Sequence, residues 1–156
     1  MKKTFSIALA CVLALCLISG CGAEAAEPAF ADVSAAIDAA VDTSSMTEAD
    51  ASYLKGMFGL EDGDYRDCRV LITGVGTTID EIGLFCGRDA AQTAELKSAV
   101  TDYLQLRLDS WMPEYYPEEY PKLQNARIYE EGNYVFYAIL SDEGRDAALE
   151  AFESCF

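Results

Sequence analysis

The chain has 156 residues, of which 27 are acidic and 11 are basic, so its formal net charge at neutral pH is −16. This charge excludes nucleic acid as a partner, because binding a polyphosphate requires lysine and arginine side chains that neutralise phosphates. The sequence contains no histidine. Its absence excludes Ser-His-Asp and Cys-His catalytic triads and zinc sites built on histidine.

Residues 1–21 have the pattern of a bacterial lipoprotein signal. Lys2 and Lys3 supply a positive start, and the apolar segment over 5–18 is shorter than the roughly 20 residues of a membrane-spanning helix. The segment ends in Leu17-Ile18-Ser19-Gly20-Cys21, a lipobox with isoleucine in the aliphatic position. We therefore expect cleavage before Cys21 and acyl chains such as palmitate on its thiol, which would hold the protein at the outer face of the cell membrane.

Two alternatives to a lipid anchor are open. An ordinary signal peptide would be cut a few residues later, within 23–26. A transmembrane anchor is less favoured, because Gly20, Gly22 and Glu24 end the apolar run too soon for a spanning helix.

The predicted organisation has three parts: a signal peptide over 1–20, a lipidated cysteine with a flexible tether over 21–29, and a single domain over 30–156. Loss of Lys2 and Lys3 with the signal would leave nine basic and 27 acidic residues, a formal charge of −18. Such a surface is repelled by anionic lipid head groups, so the lipid must hold the protein to the membrane. The mature chain of 136 residues is long enough to bury one hydrophobic core.

The first half of the domain begins with two predicted helices. Apolar residues at helical spacing predict the first helix over 30–41. The second is expected to begin near Thr47, whose hydroxyl can cap it, and to end at Gly59 in the left-handed conformation. An acidic loop over 61–67 follows.

A β-hairpin is predicted next, because residues 67–73 and 79–86 alternate apolar positions around the glycine-rich segment 74–78. A turn of this length would place Cys68 opposite Leu84. The predicted core face comprises Cys68, Val70, Ile72, Ile82, Leu84 and Cys86, with Leu71 and Phe85 on the other face.

Only three cysteines remain once the signal is removed and Cys21 carries lipid. Because an odd number cannot pair completely, we expect either one disulfide with a spare thiol or three thiols. The diagonal placement of Cys68 and Cys86 in the hairpin favours buried thiols over a bridge. Cys155, near the chain end, is the candidate free thiol.

The second half of the domain begins with the longest predicted helix, which Asp89 can cap and Pro113 stops. The remaining predicted elements are an ordered loop over 113–121 with one helical turn within 117–124, a second hairpin with strands over 126–130 and 134–140, and a final helix that begins at Ser141 or Asp142.

The order of elements is therefore α-α-β-β-α-β-β-α. Hairpins rather than strand-helix-strand crossovers imply an antiparallel sheet, and amphipathic helices must bury their apolar stripe against it. We expect an α+β domain of two layers, with helices covering one face of a sheet built from two β-hairpins.

Several short motifs resemble the domain of unknown function 4358 family. They are Ile79-Asp-Glu-Ile-Gly-Leu-Phe, the loop Tyr-Pro-Glu-Glu-Tyr, Asn125-Ala-Arg-Ile and Gly132-Asn-Tyr-Val. The resemblance covers about Thr47 to Phe152. It implies a small lipoprotein on the cell surface, of a family found mainly in Gram-positive anaerobes. It implies no activity and brings no functional residues with it.

Tyr115, Tyr116 and Tyr120 are the candidate partner-binding residues. Aromatic side chains held by prolines offer contact area at a small entropic cost. The alternative is that these tyrosines close the end of the hydrophobic core.

Two further patterns resemble ligand-binding motifs but do not fit them. The Gly74-Val75-Gly76 sequence is typical of a hairpin turn rather than a phosphate-binding loop, since a strand and not a helix follows it. Asp62, Asp64 and Asp67 lack the spacing of a calcium-binding EF-hand loop, which favours a solvated loop over a weak cation site.

These observations predict a membrane-anchored extracytoplasmic lipoprotein that is not an enzyme and needs no cofactor or metal. Its expected role is a non-catalytic binding or structural module with a protein or cell-envelope partner. The alternatives are a solute- or cation-binding lipoprotein associated with a transporter, and a cell-envelope enzyme that uses carboxylates.

Overall fold

A computed structural model describes residues 27–74 and 78–156. The predicted signal, Cys21 and the centre of the 74–78 turn lie outside these ranges. The elements are α1 (Phe30–Ala40), β1 (Met46–Glu48), α2 (Ala51–Tyr53, continued by a π-helical turn over Leu54–Phe58), β2 (Asp67–Thr73), β3 (Glu81–Cys86), α3 (Ala90–Asp109), α4 (Tyr120–Gln124), β4 (Arg127–Glu131), β5 (Tyr134–Ile139) and α5 (Asp142–Glu153).

The strands form one antiparallel sheet in the order β1-β2-β3-β5-β4. The predicted α+β class and both predicted hairpins are confirmed. The short edge strand β1 was not predicted, and Thr47 lies within it rather than capping a helix. Asp50 caps α2 instead, by accepting a hydrogen bond of 2.8 Å from the backbone N–H of Tyr53. Gly59 ends the helical segment with φ at 71°, as predicted.

Helices cover both faces of the sheet, so the expectation of two layers was wrong. The helical segment over 51–58, α3 and α4 pack on one face, which we call the α3 face, and α1 and α5 pack on the other, the α5 face. The physical reason is that every residue of β3 and β5 is buried, which requires cover on both sides. The result is a three-layer domain with β3 and β5 at its centre.

The register of the β2–β3 hairpin differs by one residue from the prediction. Cys68 pairs with Phe85 rather than with Leu84, because Thr73 lies opposite Asp80, so that six residues, 74–79, connect the paired positions rather than five. A slip of one residue moves every side chain of a strand to the other face. The predicted core face was therefore wrong. The sheet residues buried on the α3 face include Val70, Phe85, Val135, Tyr137 and Ile139, and those on the α5 face include Leu71, Ile82, Leu84, Cys86, Tyr134 and Phe136.

The same slip separates two cysteines that the prediction had placed on one face. Cys68 packs on the α3 face and Cys86 on the α5 face, so no disulfide joins them. Cys68, Cys86 and Cys155 are all free thiols. Burial raises the pKa of Cys68 to about 12 and the pKa of Cys86 to about 11. Both of these thiols are therefore protonated and unreactive near neutral pH.

Gly83 allows a close approach in the middle of β3. It lies opposite Tyr137 of β5, and a Cβ atom at Gly83 would be only 2.0 Å from Cε1 of the Tyr137 ring. The ring of Tyr137 therefore lies across the backbone of β3. Any larger residue at position 83 would displace this buried ring.

We expect Gly83→Ala to lower the free energy of unfolding by about 2 kcal/mol, since the new methyl group overlaps the fully buried ring of Tyr137. Urea denaturation followed by circular dichroism measures the change. Gly56→Ala is the matched control, because nothing lies within 4 Å of a Cβ at Gly56. Equal stability of the two variants would contradict the close approach at Gly83.

Candidate functional site

A buried carboxylate marks the end of the domain at which β3 begins. Glu81, the first residue of β3, is only 2% exposed. Its Oε1 and Oε2 accept hydrogen bonds of 2.6 and 2.8 Å from the hydroxyl of Tyr103, and Oε1 also accepts one from the hydroxyl of Tyr137. Nη1 of Arg107 lies 2.6 Å from Oε2 and forms an ion pair with it. Both oxygens of the carboxylate therefore accept hydrogen bonds from buried or partly buried donors.

The hydroxyl of Tyr103 connects the carboxylate to the rest of the cluster. Its single proton is donated to Glu81, so its oxygen accepts from Nη1 of Arg107 and from the hydroxyl of Tyr53, which lies 3.0 Å away. The guanidinium carbon of Arg107 also lies 5.6 Å from the centre of the Tyr103 ring, in cation–π geometry. We call Tyr53, Glu81, Tyr103, Arg107 and Tyr137 the Glu81 cluster.

Burial and charge fix the protonation of this cluster. Burial, followed by the negative charge of Glu81, raises the pKa of Tyr53, of Tyr103 and of Tyr137. Burial disfavours the charged form of Arg107, but the carboxylate of Glu81 outweighs it and raises the pKa of the guanidinium. The tyrosines therefore keep their protons as donors, and the arginine stays charged.

A second polar group holds the proline-rich segment against this end of the sheet. The carboxylate of Glu119, just before α4, accepts a hydrogen bond of 3.0 Å from the backbone N–H of Ile79. Nζ of Lys122 lies 2.9 Å from Glu119 Oε2 and 2.7 Å from Asp80 Oδ1. These contacts hold the end of the proline-rich segment against the residues that precede β3. We call residues 112–118 the tyrosine loop.

The candidate partner-binding tyrosines have different surroundings. Tyr115 is 72% exposed and Tyr116 is 40% exposed, and Met112 beside them is 60% exposed. Tyr120 instead stacks on Trp111, with ring centres 6.2 Å apart and ring planes within 5° of parallel. Tyr120 therefore belongs to the packing at the base of the loop, whereas Tyr115 and Tyr116 face solvent. An open depression lies between Tyr116 and the Glu81 cluster.

The opposite end of β3 contacts the first described residues of the chain. Nη1 of Arg66 lies 2.9 Å from Glu27 Oε2, and Nη2 of Arg66 lies 2.7 Å from the sulfur of Cys86, the last residue of β3. The hydroxyl of Tyr134 donates a hydrogen bond of 2.6 Å to the backbone carbonyl of Pro28. Residues 27 and 28, which the sequence assigned to the flexible tether, thus contact the domain.

The acidic loop over 61–67 does not gather its carboxylates. Asp64 accepts a hydrogen bond from the backbone of Glu61, Asp62 lies 3.4 Å from the hydroxyl of Tyr65, and Asp67 lies beside Arg66. Within residues 27–74 and 78–156, no group of three acidic or cysteine side chains could hold a metal ion. Nor is any helix in these ranges long and apolar enough to cross a bilayer.

Sequence reasoning missed the Glu81 cluster. The available signal was an acidic residue inside an otherwise apolar strand, in Glu81-Ile-Gly-Leu-Phe-Cys. A charge in such a position requires a buried partner. The partners could not be found from spacing alone, because Arg107 and Tyr103 come from α3 and Tyr137 from β5.

A family model described as Domain of unknown function (DUF4358) matches residues 39–140. The matched range runs from the end of α1 past β5 and includes the Glu81 cluster and the tyrosine loop. Helix α5 lies outside it. No curated protein and no solved structure matches the chain.

We expect Glu81→Gln to lower the free energy of unfolding by about 3 kcal/mol, because the change leaves the Arg107 cation without its buried counter-charge. The amide also adds donors where Tyr103 and Tyr137 already donate. Chemical denaturation measures the loss. Glu95→Gln, at an exposed position of α3, is the control and should change stability by less than about 0.5 kcal/mol. A similarly small effect of Glu81→Gln would show that the cluster does not stabilise the fold.

The raised pKa values of the buried tyrosines predict how stability depends on pH. A tyrosine in the unfolded chain loses its proton near pH 10, whereas folded Tyr103 and Tyr137 retain theirs. Their contribution is thus fully present below about pH 10 and is lost as pH rises above it. Urea denaturation from pH 8 to about pH 11.5 should show falling stability, with a shallower fall in Tyr103→Phe. An identical slope in wild type and variant would contradict this assignment.

Proposed function

Because the chain belongs to the Domain of unknown function (DUF4358) family, whose name carries no activity, we propose a function from its geometry. We propose that the protein is a non-catalytic binding module, anchored to the outer face of the cell membrane through lipid on Cys21. Its tyrosine loop binds a protein or cell-envelope partner. The observation that carries this proposal is that the chain enters the domain at one end of β3 and the tyrosine loop lies at the other.

The entry end is defined by Glu27 and Pro28, which contact Arg66 and Tyr134. Phe30 stacks on Tyr134 with ring centres 6.2 Å apart, which extends this contact into α1. Only residues 22–26 separate these contacts from Cys21. Glu27 therefore lies at most about 20 Å from the lipidated cysteine. So short a tether would hold this end of the domain close to the bilayer.

The loop end lies away from that contact along two elements. β3 spans about 17 Å from Glu81 to Cys86, at about 3.4 Å per residue. The 20 residues of α3 run from Ala90, near Cys86, to Asp109, near Glu81, a length of about 30 Å. The tyrosine loop follows α3 directly. A domain held at the Cys86 end would thus present Tyr115 and Tyr116 outward.

The chemistry of the Glu81 cluster supports a structural rather than a catalytic role. A general base needs a lone pair that a substrate proton can reach, and a nucleophile needs an accessible oxygen. Glu81 is almost fully buried, and three side chains donate to its two oxygens. The cluster instead joins α3 to the two central strands beneath the loop.

Photocrosslinking in intact cells tests the proposal. A photoreactive amino acid in place of Tyr116 should capture a partner. The same amino acid in place of the exposed Glu131 should not, because Glu131 ends β4 opposite Tyr134, at the Cys86 end of the sheet. Capture of the same species from both positions, or of nothing from position 116, would overturn the binding role.

A Cys21→Ala variant tests the anchor separately. We expect this variant to leave the membrane fraction and to appear in the medium, because acylation of the thiol is lost. Wild-type protein should carry fatty acyl mass on an N-terminal Cys21. A variant that stays in the membrane fraction would show that another segment anchors the protein.

A further inference from the structure

We infer that the partner bound by the tyrosine loop presents lysine or arginine side chains to it. The inference rests on the proposed function and adds the chemical class of the partner. It comes from three observations: the negative charge of the loop, its exposed aromatic rings, and the pairing of the neighbouring cations Arg107 and Lys122 with other carboxylates.

The loop and its flanks carry only negative charge. The segment from Leu108 to Pro121 contains four acidic residues and no basic residue. Two of the four are engaged, since Asp109 accepts a hydrogen bond from Gln105 and Glu119 pairs with Lys122. The other two, Glu114 and Glu118, are exposed. Neither forms a hydrogen bond or an ion pair with any residue in the described part of the chain.

The basic residues that flank the loop in the sequence, Arg107 and Lys122, already pair with other carboxylates. Lys122 lies between Asp80 and Glu119, and Arg107 is held by Glu81 and Tyr103. Neither can turn toward Glu114 or Glu118 without leaving a buried or half-buried carboxylate unpaired, which is costly. The negative charge of the loop is therefore available to a partner.

Exposed phenol rings beside free carboxylates form a surface suited to cations. The face of a tyrosine ring attracts an ammonium or guanidinium group, and a neighbouring carboxylate adds a charge-assisted hydrogen bond. Tyr115 lies between Pro113 and Pro117 and directly follows Glu114, so its ring and this carboxylate are held on one short rigid segment. Little conformational entropy is lost when a partner binds such a segment.

The net charge of the whole chain disfavours the opposite class of partner. A formal charge of −16 repels phosphate-rich polymers and anionic lipids before they reach the loop. The same field attracts a basic polypeptide and raises its association rate. Exposed aromatic rings also suit neutral sugars, so an uncharged ligand is one of the outcomes that the experiment separates.

A lysine-rich octapeptide, titrated into the purified domain at low salt, is the probe. The chain has one tryptophan, and Trp111 stacks on Tyr120 at the base of the loop, so its fluorescence reports binding there. We expect saturable binding that weakens as salt is added. A glutamate-rich octapeptide and cello-oligosaccharide should not bind. Absence of binding by the lysine peptide, or equal binding by either of the others, would overturn the inference.

Two matched pairs of substitutions separate the loop from the general field of an acidic protein. Glu114→Gln with Glu118→Gln removes two charges from the loop, and Glu95→Gln with Glu150→Gln removes two exposed charges from α3 and α5. We expect the loop pair to weaken peptide binding about fivefold and the control pair to change it less than about twofold. An equal loss in both pairs would show attraction without a site and would overturn the inference.

The aromatic contribution is tested at Tyr115. Tyr115→Phe keeps the ring face and should bind the lysine peptide as wild type does, whereas Tyr115→Leu should bind it more weakly. Identical binding by both variants would remove the ring from the recognition surface and contradict the inference. If the lysine peptide fails to bind while crosslinking at position 116 still captures a partner, the binding role stands and only the partner's proposed charge is wrong.

Discussion

The position of Glu81 constrains more of this structure than any other single residue. A carboxylate at the first residue of a strand buried on both faces is stable only if charged and polar donors converge on it. The donors come from α3 and β5. Tyr103 and Arg107 lie one helical turn apart, and their contacts with Glu81 fix the position of α3 along β3. Gly83 contributes by letting the Tyr137 ring lie flat across β3, which brings its hydroxyl to the same carboxylate.

This arrangement sets where the proline-rich segment begins. Because Arg107 is fixed by Glu81, the end of α3 two residues later is fixed as well, and the chain enters the tyrosine loop directly above the start of β3. Glu119 and Lys122 then return the chain to Ile79 and Asp80, on the segment that leads into Glu81. The loop is thus attached at both of its ends to one end of the central strand, and this attachment determines where Tyr115 and Tyr116 are exposed.

The sequence predicts the kinds of element well and their layering poorly. Helical spacing, caps and turn residues locate α1, α3, α5 and both hairpins, because these signals are local. The face assignment of the first hairpin failed because it depends on the length of the connection between Thr73 and Asp80. This connection has six residues rather than five, and a difference of one residue exchanges the two faces of a strand. The second helical layer was missed for a related reason. Apart from Glu81, β3 and β5 have no charged residue and do not alternate apolar with polar positions, so the pattern carries no information about which face is covered.

The candidate site was predictable in part. Clustered tyrosines and prolines identify the loop, but only the packing separates Tyr120, which stacks on Trp111, from Tyr115 and Tyr116, which face solvent. The Glu81 cluster joins residues 53, 81, 103, 107 and 137, which come from four separate elements, so no spacing rule connects them. Likewise the contact of Glu27 with Arg66 depends on the tertiary fold, since these residues come together only when the start of α1 packs against Tyr134 of the sheet.

The proposed function requires that the anchor and the tyrosine loop lie at opposite ends of the domain. Energy transfer from a fluorophore on the protein to acceptors in the lipid head groups tests it directly, with lipidated protein reconstituted in liposomes and the fluorophore introduced as a non-natural amino acid at position 115 or 131. We expect strong transfer from position 131 and weak transfer from position 115. Equal transfer from both positions, or stronger transfer from position 115, would contradict it.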